Sequence, residues 1–383
     1  MYPYKRLLHF FKSETVLCIA GIAAIISMLF TPPSIDYLSY IDFRVLVLLF
    51  CLMSVVAGFN KTGLFLKLSE SLLHKTGNTR SLCFILILLC FFSSMWITND
   101  VALITFVPFA ILLLTMAGKT GLLIFVVVMQ TIAANLGSML TPVGNPQNLY
   151  LYSYYNIPVQ DFFKITLPMT AASFLLLSLS VLLIRKEPLK AVLKEELPYP
   201  TVTAPDGSSL RSTSGLTLMY GILFLLCLLS VVRLVDFRLI LGIVLTAILI
   251  FDREIIRMVD YSLLLTFVCF FLFVGNIGNI PAAKDFLAIL LKGRELPVAV
   301  AVSQVISNVP AAVLLSAFTE NSKALVLGTN LGGLGTLVAS LASLISYKLY
   351  CRSDGAKPLK YLGVFTLYNI IFLALLSVLL FVI

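Results

Sequence analysis

Three polar residues, Thr98, Asn99 and Asp100, stand in the middle of the apolar stretch SSMWITNDVALITFVPF, which covers residues 93–109. A carboxylate among apolar residues is energetically costly unless it binds a cation or takes up a proton. Asp100 could therefore bind Na⁺ directly or carry a proton, and it could also cap the helix that follows it. A carboxylate beside an amide in apolar surroundings predicts a cation or proton site.

A second apolar stretch, VISNVPAAVLLSAF at 305–318, carries a similar polar tip at Ser307 and Asn308. Each tip is followed by an apolar block rich in small residues, AANLGSMLTPVGNPQN at 133–148 and GTNLGGLGTLVASLAS at 328–343. Irregular backbone inside a membrane must line protein or a water-filled cavity. The tips and the glycine-rich blocks therefore predict a shared polar cleft.

The elements that must position these residues are membrane-spanning helices. The chain has 383 residues, of which 60% are hydrophobic and 12% charged, and its mean hydropathy is +1.04. Soluble domains carry about 25% charged residues. Runs of about 20 apolar residues recur, each long enough to cross ~30 Å of hydrocarbon as a helix. The predicted spans lie near 14–31, 43–59, 121–153, 162–184, 215–235, 238–252, 261–276, 324–349 and 361–383, with polar-tipped hairpins at 81–117 and 296–319.

Cysteine and histidine usage excludes several classes of site. Six of the seven cysteines lie inside apolar runs without Cys-x-x-Cys spacing, so neither a disulfide framework nor a zinc site is expected. Both histidines, His9 and His74, lie in polar flanks. The GKT at 118–120 is not a phosphate-binding loop, because Leu113 occupies the position of the upstream glycine. No nucleophile–base–acid arrangement is evident, so we do not expect an enzyme.

The distribution of Lys and Arg predicts the orientation in the membrane. These residues concentrate in the N-terminus and in segments 60–80, 185–214 and 350–360, which we therefore place in the cytoplasm. The hairpin 81–117 then enters and leaves on the cytoplasmic side, and 296–319 does so on the outer side. Basic residues within 280–294 oppose this scheme unless an interfacial helix carries them. The net charge of +9 reflects topology, and no nucleic-acid partner is expected.

The order of these features repeats along the chain. The N-terminal half, 1–184, and the C-terminal half, 215–383, each contain a span, an amphipathic segment, a polar-tipped hairpin and a broken helix, and 185–214 forms a cytoplasmic linker. In the predicted topology the halves have opposite orientations, an arrangement typical of secondary transporters. We predict an all-α polytopic membrane protein built from two inverted repeats with re-entrant hairpins and broken transmembrane helices.

These motifs resemble those of a known superfamily. The first tip resembles the serine-asparagine-threonine hairpin tip of the divalent-anion/sodium symporters, with Thr98 in the serine position, and IAANLGSMLTPVGNPQNLY resembles their broken helix. SNVP at 307–310 matches the second tip, whereas Asp100 and NLGGLGTLVASLASLIS look more like the arsenite permeases. The chain thus resembles the ion transporter superfamily, with a citrate-transporter-like membrane domain, over nearly its whole length.

The resemblance implies a site near the middle of the membrane. It implies a substrate site lined by Thr98, Asn99, Asn135, Thr141, Asn145, Ser307, Asn308, Asn330 and Thr336. It also implies ion coupling at Asn99, Asp100, Gly144, Asn308 and Gly335, with Na⁺ at Asn99, Asp100 and Asn308. Family members often dimerise, so a homodimer is one assembly that the resemblance allows.

Three functions follow as hypotheses. The first is a secondary active transporter in the cytoplasmic membrane, with a cytoplasmic N-terminus, that moves a carboxylate or inorganic oxyanion by alternating access. Na⁺ or H⁺ would be the coupling ion, and no other cofactor is expected. The second is a Na⁺/H⁺ antiporter in which Asp100 alternates between the two ions. The third is an arsenite permease or channel that works with a separate ATPase.

Overall fold

The computed structural model describes residues 14–64, 76–188 and 214–380, and within these ranges the chain is helical and forms no β-strand. The N-terminal basic residues, most of the predicted linker and most of the predicted amphipathic segment at 61–73 lie outside the described residues. The helices are α1 Thr15–Ser27, α2 Tyr37–Tyr40, α3 Phe43–Lys61, α4 Thr79–Ser93, α5 Asn99–Met116, α6 Leu123–Ser138, α7 Pro146–Tyr154, α8 Val159–Val181, α9 Ser214–Val231, α10 Phe237–Phe251, α11 Ile255–Met258, α12 Tyr261–Gly278, α13 Pro281–Leu291, α14 Glu295–Ile306, α15 Asn308–Ser316, α16 Ser322–Gly332, α17 Leu341–Cys351 and α18 Pro358–Leu380.

Six described helices are long and apolar enough to cross a membrane: α3, α5, α6 with its preceding turn, α8, α12 and α18. Their outward faces carry exposed large apolar residues such as Leu175, Leu265 and Leu367, which suit contact with lipid. These features confirm the predicted all-α polytopic membrane fold.

Both predicted polar-tipped blocks divide into two helices. The block 81–117 forms α4 and α5, which are separated by an irregular stretch at 94–98. The block 296–319 forms α14 and α15, which contact one another and are separated by Ser307 alone. That these hairpins are re-entrant stays a prediction.

Both glycine-rich blocks are broken helices. The predicted break within 121–153 lies between the end of α6 and the start of α7, over residues 139–145. The span predicted at 324–349 is likewise divided into α16 and α17 by residues 333–340. At the first break the backbone approaches itself so closely that position 144 requires glycine. A Cβ on Gly144 would lie 2.2 Å from the carbonyl oxygen of Ser138.

Polar contacts at one end of the bundle bring several helix ends together. Lys61 pairs with Asp252 at 2.7 Å where α3 ends and α10 gives way to α11. The backbone N–H of Thr79, which opens α4, donates to the carbonyl oxygen of Glu187 at 2.9 Å. The Lys119 ammonium, just beyond α5, pairs with the Glu187 carboxylate. The block from α4 to α5 therefore begins and ends beside the same residue.

A second set of polar contacts joins the start of α3 and the ends of α1, α9 and α12. Asn276, near the end of α12, donates to the Ser27 hydroxyl at 2.9 Å where α1 ends. Arg44, at the start of α3, donates to the backbone carbonyl of Ser230 at 3.0 Å, close to the end of α9. Which of the two ends faces the cytoplasm stays a prediction.

Candidate functional site

The first polar tip is anchored to the first broken helix. Thr98 holds the N-cap position of α5, and its side chain makes no capping hydrogen bond. Asn99, the first residue of α5, is buried, and its backbone N–H donates to the carbonyl oxygen of Gly144 at 3.2 Å. Because Gly144 lies between α6 and α7, this bond holds the start of α5 against the break in the next helix.

The second polar tip is a one-residue turn with unusual backbone geometry. Ser307 ends α14 and caps α15 with φ +76° and ψ +156°. Residues other than glycine rarely adopt this conformation, which costs about 1–3 kcal/mol and persists only where the surroundings enforce it. Ser307 is fully buried, and its hydroxyl lies 3.4 Å from both the Asn308 Oδ1 and the carbonyl oxygen of Ala339. The packing around the tip therefore fixes where α15 begins.

Asn135, near the end of α6, joins the first tip to the second broken helix. Its Oδ1 accepts hydrogen bonds from Asn99 Nδ2 at 2.9 Å and from the Ser340 hydroxyl at 3.1 Å. Its Nδ2 donates to the carbonyl oxygen of Gly333 at 3.3 Å. The second tip reaches the same glycine, because a Cβ built on Gly333 would lie 2.9 Å from Asn308 Nδ2. Both tips and both breaks therefore meet around Gly333.

Asn330, at the end of α16, makes the reciprocal connection to the first broken helix. Its Oδ1 accepts from Asn145 Nδ2 at 2.9 Å, and its Nδ2 donates to Asn148 Oδ1 at 2.6 Å. Asn145 also caps α7, because its Oδ1 accepts from the backbone N–H of Asn148 at 2.9 Å. Asn145 Nδ2 makes a second bond, to the Ser138 hydroxyl at 3.0 Å. These buried amides bind one another across the two halves of the chain, and we call the contacts of Asn99, Asn135, Asn145, Asn148 and Asn330 the amide network.

Matching positions in the two halves make matching contacts. The residue ten positions after Asn135 is Asn145, which bonds to Asn330, and the residue ten positions after Asn330 is Ser340, which bonds to Asn135. An internal repeat would place matching residues in such matching contacts. The pattern favours the internal repeat, and both the repeat and its inverted orientation stay predictions.

Thr141 and Thr336 occupy a further pair of matching positions and point away from the amide network. The Thr141 hydroxyl donates to the carbonyl oxygen of Met95, and the Thr336 hydroxyl donates to that of Gln304 at 3.1 Å. Met95 and Gln304 each lie four residues before the tip asparagine of their half. Each threonine hydroxyl therefore ties a break to the segment just before the tip, and neither hydroxyl bonds to the amides.

Gln304 holds the second break together, and sequence reasoning missed it. Its Oε1 accepts from the backbone N–H of Thr336 at 2.9 Å, and its Nε2 donates to the carbonyl oxygens of Gly332 and Leu334 at 2.9 Å each. The turn that it braces contains Gly335, whose φ of +111° favours glycine. Thr336 and Gly335 thus lie beside Gln304.

Asp100 has an unused oxygen beside the amide network. Its backbone N–H donates to Asn99 Oδ1 at 3.1 Å, whereas its buried Oδ1 has no hydrogen-bond partner in the described part of the chain. Buried polar atoms are normally paired, so an unpaired carboxylate oxygen is suited to bind a cation or a proton. No cluster of three or more His, Cys, Asp or Glu suited to a metal ion occurs among the residues described. Asp260 lies close enough for its charge to act on the Asp100 carboxylate. Divalent cations usually take several oxygen ligands, so this carboxylate suits Na⁺ or H⁺ better.

The structure brings together most of the predicted site residues. Those joined directly or through Gly333 are Asn99, Asn135, Gly144, Asn145, Asn308 and Asn330, and Asp100 and Ser307 adjoin them in sequence. Thr141 contacts the amides only through its backbone, because its carbonyl oxygen accepts from Asn148 Nδ2 at 3.1 Å. Thr98, Thr336 and Gly335 lie at the tips and breaks without a described hydrogen bond to the amides. The residues that the prediction left out are Gln304 and Ser340. Their signal was a spacing that repeats within the tips and within the breaks: Gln304 precedes Asn308 as Met95 precedes Asn99, by four residues, and Ser340 follows Asn330 by ten residues, as Asn145 follows Asn135.

Comparison with known proteins identifies the family. A family model described as citrate transporter matches residues 10–340, which is most of the chain. An uncharacterized transporter of Methanocaldococcus jannaschii is 31% identical over 334 residues, covering 86% of each chain. The inner membrane protein YbiR of Escherichia coli is 31% identical over 356 residues, covering 91% of this chain and 90% of its own.

These matches extend over the tips, the breaks and nearly all described helices. They agree with the polytopic membrane fold. The resemblance to citrate-transporter-like proteins is confirmed, and the protein is a membrane transporter and not an enzyme. The chain belongs to the citrate transporter family.

Proposed function

We propose that the protein is a secondary active transporter that moves a small carboxylate or inorganic oxyanion, with Na⁺ or H⁺ as the coupling ion. The observation that carries this proposal is the amide network, because its bonds join the first tip to both breaks, and Asn308 of the second tip lies against Gly333 in the second break. Asp100 Oδ1 is an acceptor without a partner in the described part of the chain, and Asn308 Nδ2 is a donor that lies against Gly333. A donor suits an anion, and a carboxylate oxygen suits a cation.

The helix ends support an anionic substrate. Four helices, α5, α7, α15 and α17, begin at the tips and breaks. Their N-termini each favour an anion by about 0.3–1 kcal/mol, and by up to ~2 kcal/mol in buried geometry. The carbonyl ends of α4, α6, α14 and α16 meet at the same places and suit Na⁺. No Lys or Arg contributes to the described bonds of the amide network. A multiply charged anion would therefore depend on the coupling ion for charge balance.

The two tips differ in a way that favours coupling at the first. Asp100 follows Asn99, whereas Val309 follows Asn308 at the matching position. A carboxylate can hold Na⁺ or a proton, and valine can hold neither. We infer that the coupling ion binds beside Asp100 and that the Asn308 amide faces the substrate.

Transport would proceed by alternating access. The α4–α5 and α14–α15 hairpins, together with the breaks bound to them, would move against the remaining helices. The distribution of Lys and Arg supports a cytoplasmic N-terminus, and the relative named as an inner membrane protein supports the cytoplasmic membrane. A homodimer built on the non-moving helices fits this scheme.

A Na⁺/H⁺ antiporter is the second candidate, and the unpaired Oδ1 of Asp100 favours it. An antiporter needs one carboxylate that binds the two cations in turn. It does not need a hydrogen-bond donor that binds an anion. The separate role of Asn308 distinguishes the candidates, because an antiporter would not require its amide.

Uptake by the purified protein in liposomes tests the proposal. A Na⁺ gradient and a pH gradient would be imposed in turn, with citrate, succinate, sulfate, phosphate and arsenite as labelled solutes. Accumulation of one solute driven by one gradient is the expected result. Na⁺-dependent proton movement without uptake of any solute would favour the antiporter. Uptake of arsenite that equilibrates without a gradient would contradict both and favour the channel.

A further inference from the structure

A cavity of about 610 Å³ lies far from the amide network, at the end of the bundle where Glu187 is found. The turn after α5, the start of α6, the end of α8 and the interior of α18 surround it. Its charged wall contains Lys119, Arg185 and Glu187, and its apolar wall contains Leu122, Phe125, Leu183, Ile184 and Tyr368. The transport mechanism proposed above uses none of these side chains.

The charged wall carries an excess positive charge. Lys119 pairs with Glu187, which leaves the Arg185 guanidinium without an ion pair or side-chain hydrogen bond among the described residues. The Lys119 ammonium retains further N–H donors beyond the one used for Glu187. A guanidinium beside an ammonium is well suited to bind a phosphate group, because it can donate two parallel hydrogen bonds.

The apolar wall continues the cavity away from these charges. Phe125 and Tyr368 pack edge to face with ring centroids 5.4 Å apart, and they connect α6 to α18. Leu183 is 70% exposed. A free inorganic anion would make no use of this wall, whereas an acyl chain would remove it from water.

Two glycines line the cavity, Gly118 and Gly121. A Cβ added at Gly118 or Gly121 would meet no atom within 4 Å, so space remains around the turn that carries Lys119. Gly118 has a φ of +67°, whereas Gly121 has no such constraint. The volume lies within the roughly 300–1,000 Å³ that small-molecule sites occupy.

We propose that this cavity binds an anionic phospholipid, with the phosphate at Arg185 and Lys119 and an acyl chain along Phe125 and Tyr368. Positive charge at helix ends next to an apolar groove is the combination that recognises anionic lipid headgroups. Thr79 and Glu187 line the same cavity, so a bound lipid would brace the contact between the start of α4 and the end of α8.

Native mass spectrometry of the purified full chain in a neutral detergent tests this site without requiring transport. The probes are dihexanoyl phosphatidylglycerol, dihexanoyl phosphatidylcholine and inorganic phosphate. Arg185→Gln removes the free guanidinium, and Gly121→Leu fills the cavity from a position with room for a side chain. Lys164→Gln is the matched control, because Lys164 is an exposed basic residue near the start of α8, paired only with Asp161.

Phosphatidylglycerol should bind more tightly than phosphatidylcholine. Arg185→Gln and Gly121→Leu should each weaken binding by about tenfold or more, whereas Lys164→Gln should leave it unchanged. Equal binding of the two lipids, or equal effects of Arg185→Gln and Lys164→Gln, would overturn the proposal. Inorganic phosphate that displaces phosphatidylglycerol at similar affinity would assign the site to a soluble phosphate and overturn the lipid. Thermal unfolding of each variant shows that lost binding is not lost folding.

Discussion

Replacing Asn330 with alanine removes one of the two amide connections between the second half of the chain and the first broken helix, and the other connection, at Asn135, remains. The Asn330 side chain is buried and bonds to Asn145 and Asn148 across the two halves. Its Nδ2 also donates to the carbonyl oxygen of Val326 within its own helix. After Asn330→Ala, Asn145 Nδ2 keeps its bond to Ser138, whereas Asn148 Oδ1 loses the only side-chain donor described for it.

The expected loss of stability follows from these bonds. An interhelical hydrogen bond in a membrane contributes about 0.6 kcal/mol on average, so two of them contribute about 1.2 kcal/mol. An orphaned buried acceptor adds about 1 kcal/mol at the low end of its range. The sum of about 2 kcal/mol corresponds to a change of roughly 30-fold in the folding equilibrium. Transport should fall further, because the lost contact joins the parts that form the site.

Asn369→Ala is the matched control. Asn369 is equally buried, but its Nδ2 donates only to the carbonyl oxygen of Phe365 in its own helix, and its Oδ1 has no partner among the described residues. Reversible denaturation in mixed micelles would compare stability, and uptake in liposomes would compare transport. We expect Asn369→Ala to lower the free energy of unfolding by less than about 1 kcal/mol and to leave uptake unchanged. Equal losses in the two variants would refute the reasoning from cross-half bonds.

Three further changes test separate parts of the account. Asp100→Asn keeps the size of the side chain and removes its charge, so transport should lose its dependence on the driving ion. Unchanged ion dependence would show that Asp100 does not bind the coupling ion. Gly137→Ala places a Cβ 2.1 Å from a backbone carbonyl oxygen of α4 and should destabilise the protein by about 1–3 kcal/mol. Gly363→Ala is the control, because its Cβ would have no atom within 4 Å and should not destabilise the protein. Similar unfolding curves for the two variants would contradict the close packing of α6 against α4. The pKa of the Glu187 carboxyl is lowered by its hydrogen bond to Lys119, so the pair stabilises the protein above the usual pKa of glutamate and is lost as pH falls through the lowered value. Glu187→Gln should remove this acid-side dependence of the unfolding midpoint, and an unaltered pH profile would argue against the pair.

The breaks in the helices could be predicted from sequence because their residue types oppose a continuous helix. Pro142, Gly144 and Pro146 interrupt an otherwise apolar run, and the observed break covers residues 139–145. Asn99 was predicted as a site residue for a similar reason, since an amide amid apolar residues requires a polar partner.

The partners of these amides could not be predicted from residue types alone. Ser340 resembles many serines in apolar helices, and only the packing of one break against the other brings it to Asn135. Gln304 was missed because it precedes the second tip by four residues and lies in a helix that looks ordinary in sequence. The backbone conformation of Ser307 could not be predicted either, because glycine is the residue expected at a positive φ.

Gradient-driven uptake by Asn99→Ala and Asn308→Ala in liposomes tests the central claim most directly. The two residues open α5 and α15 and occupy matching positions at the two tips. The account predicts that each variant folds, as judged by its elution profile and unfolding midpoint, and that each loses uptake of the substrate that the wild-type protein accumulates. Normal uptake by either folded variant would contradict a site formed by the paired tips.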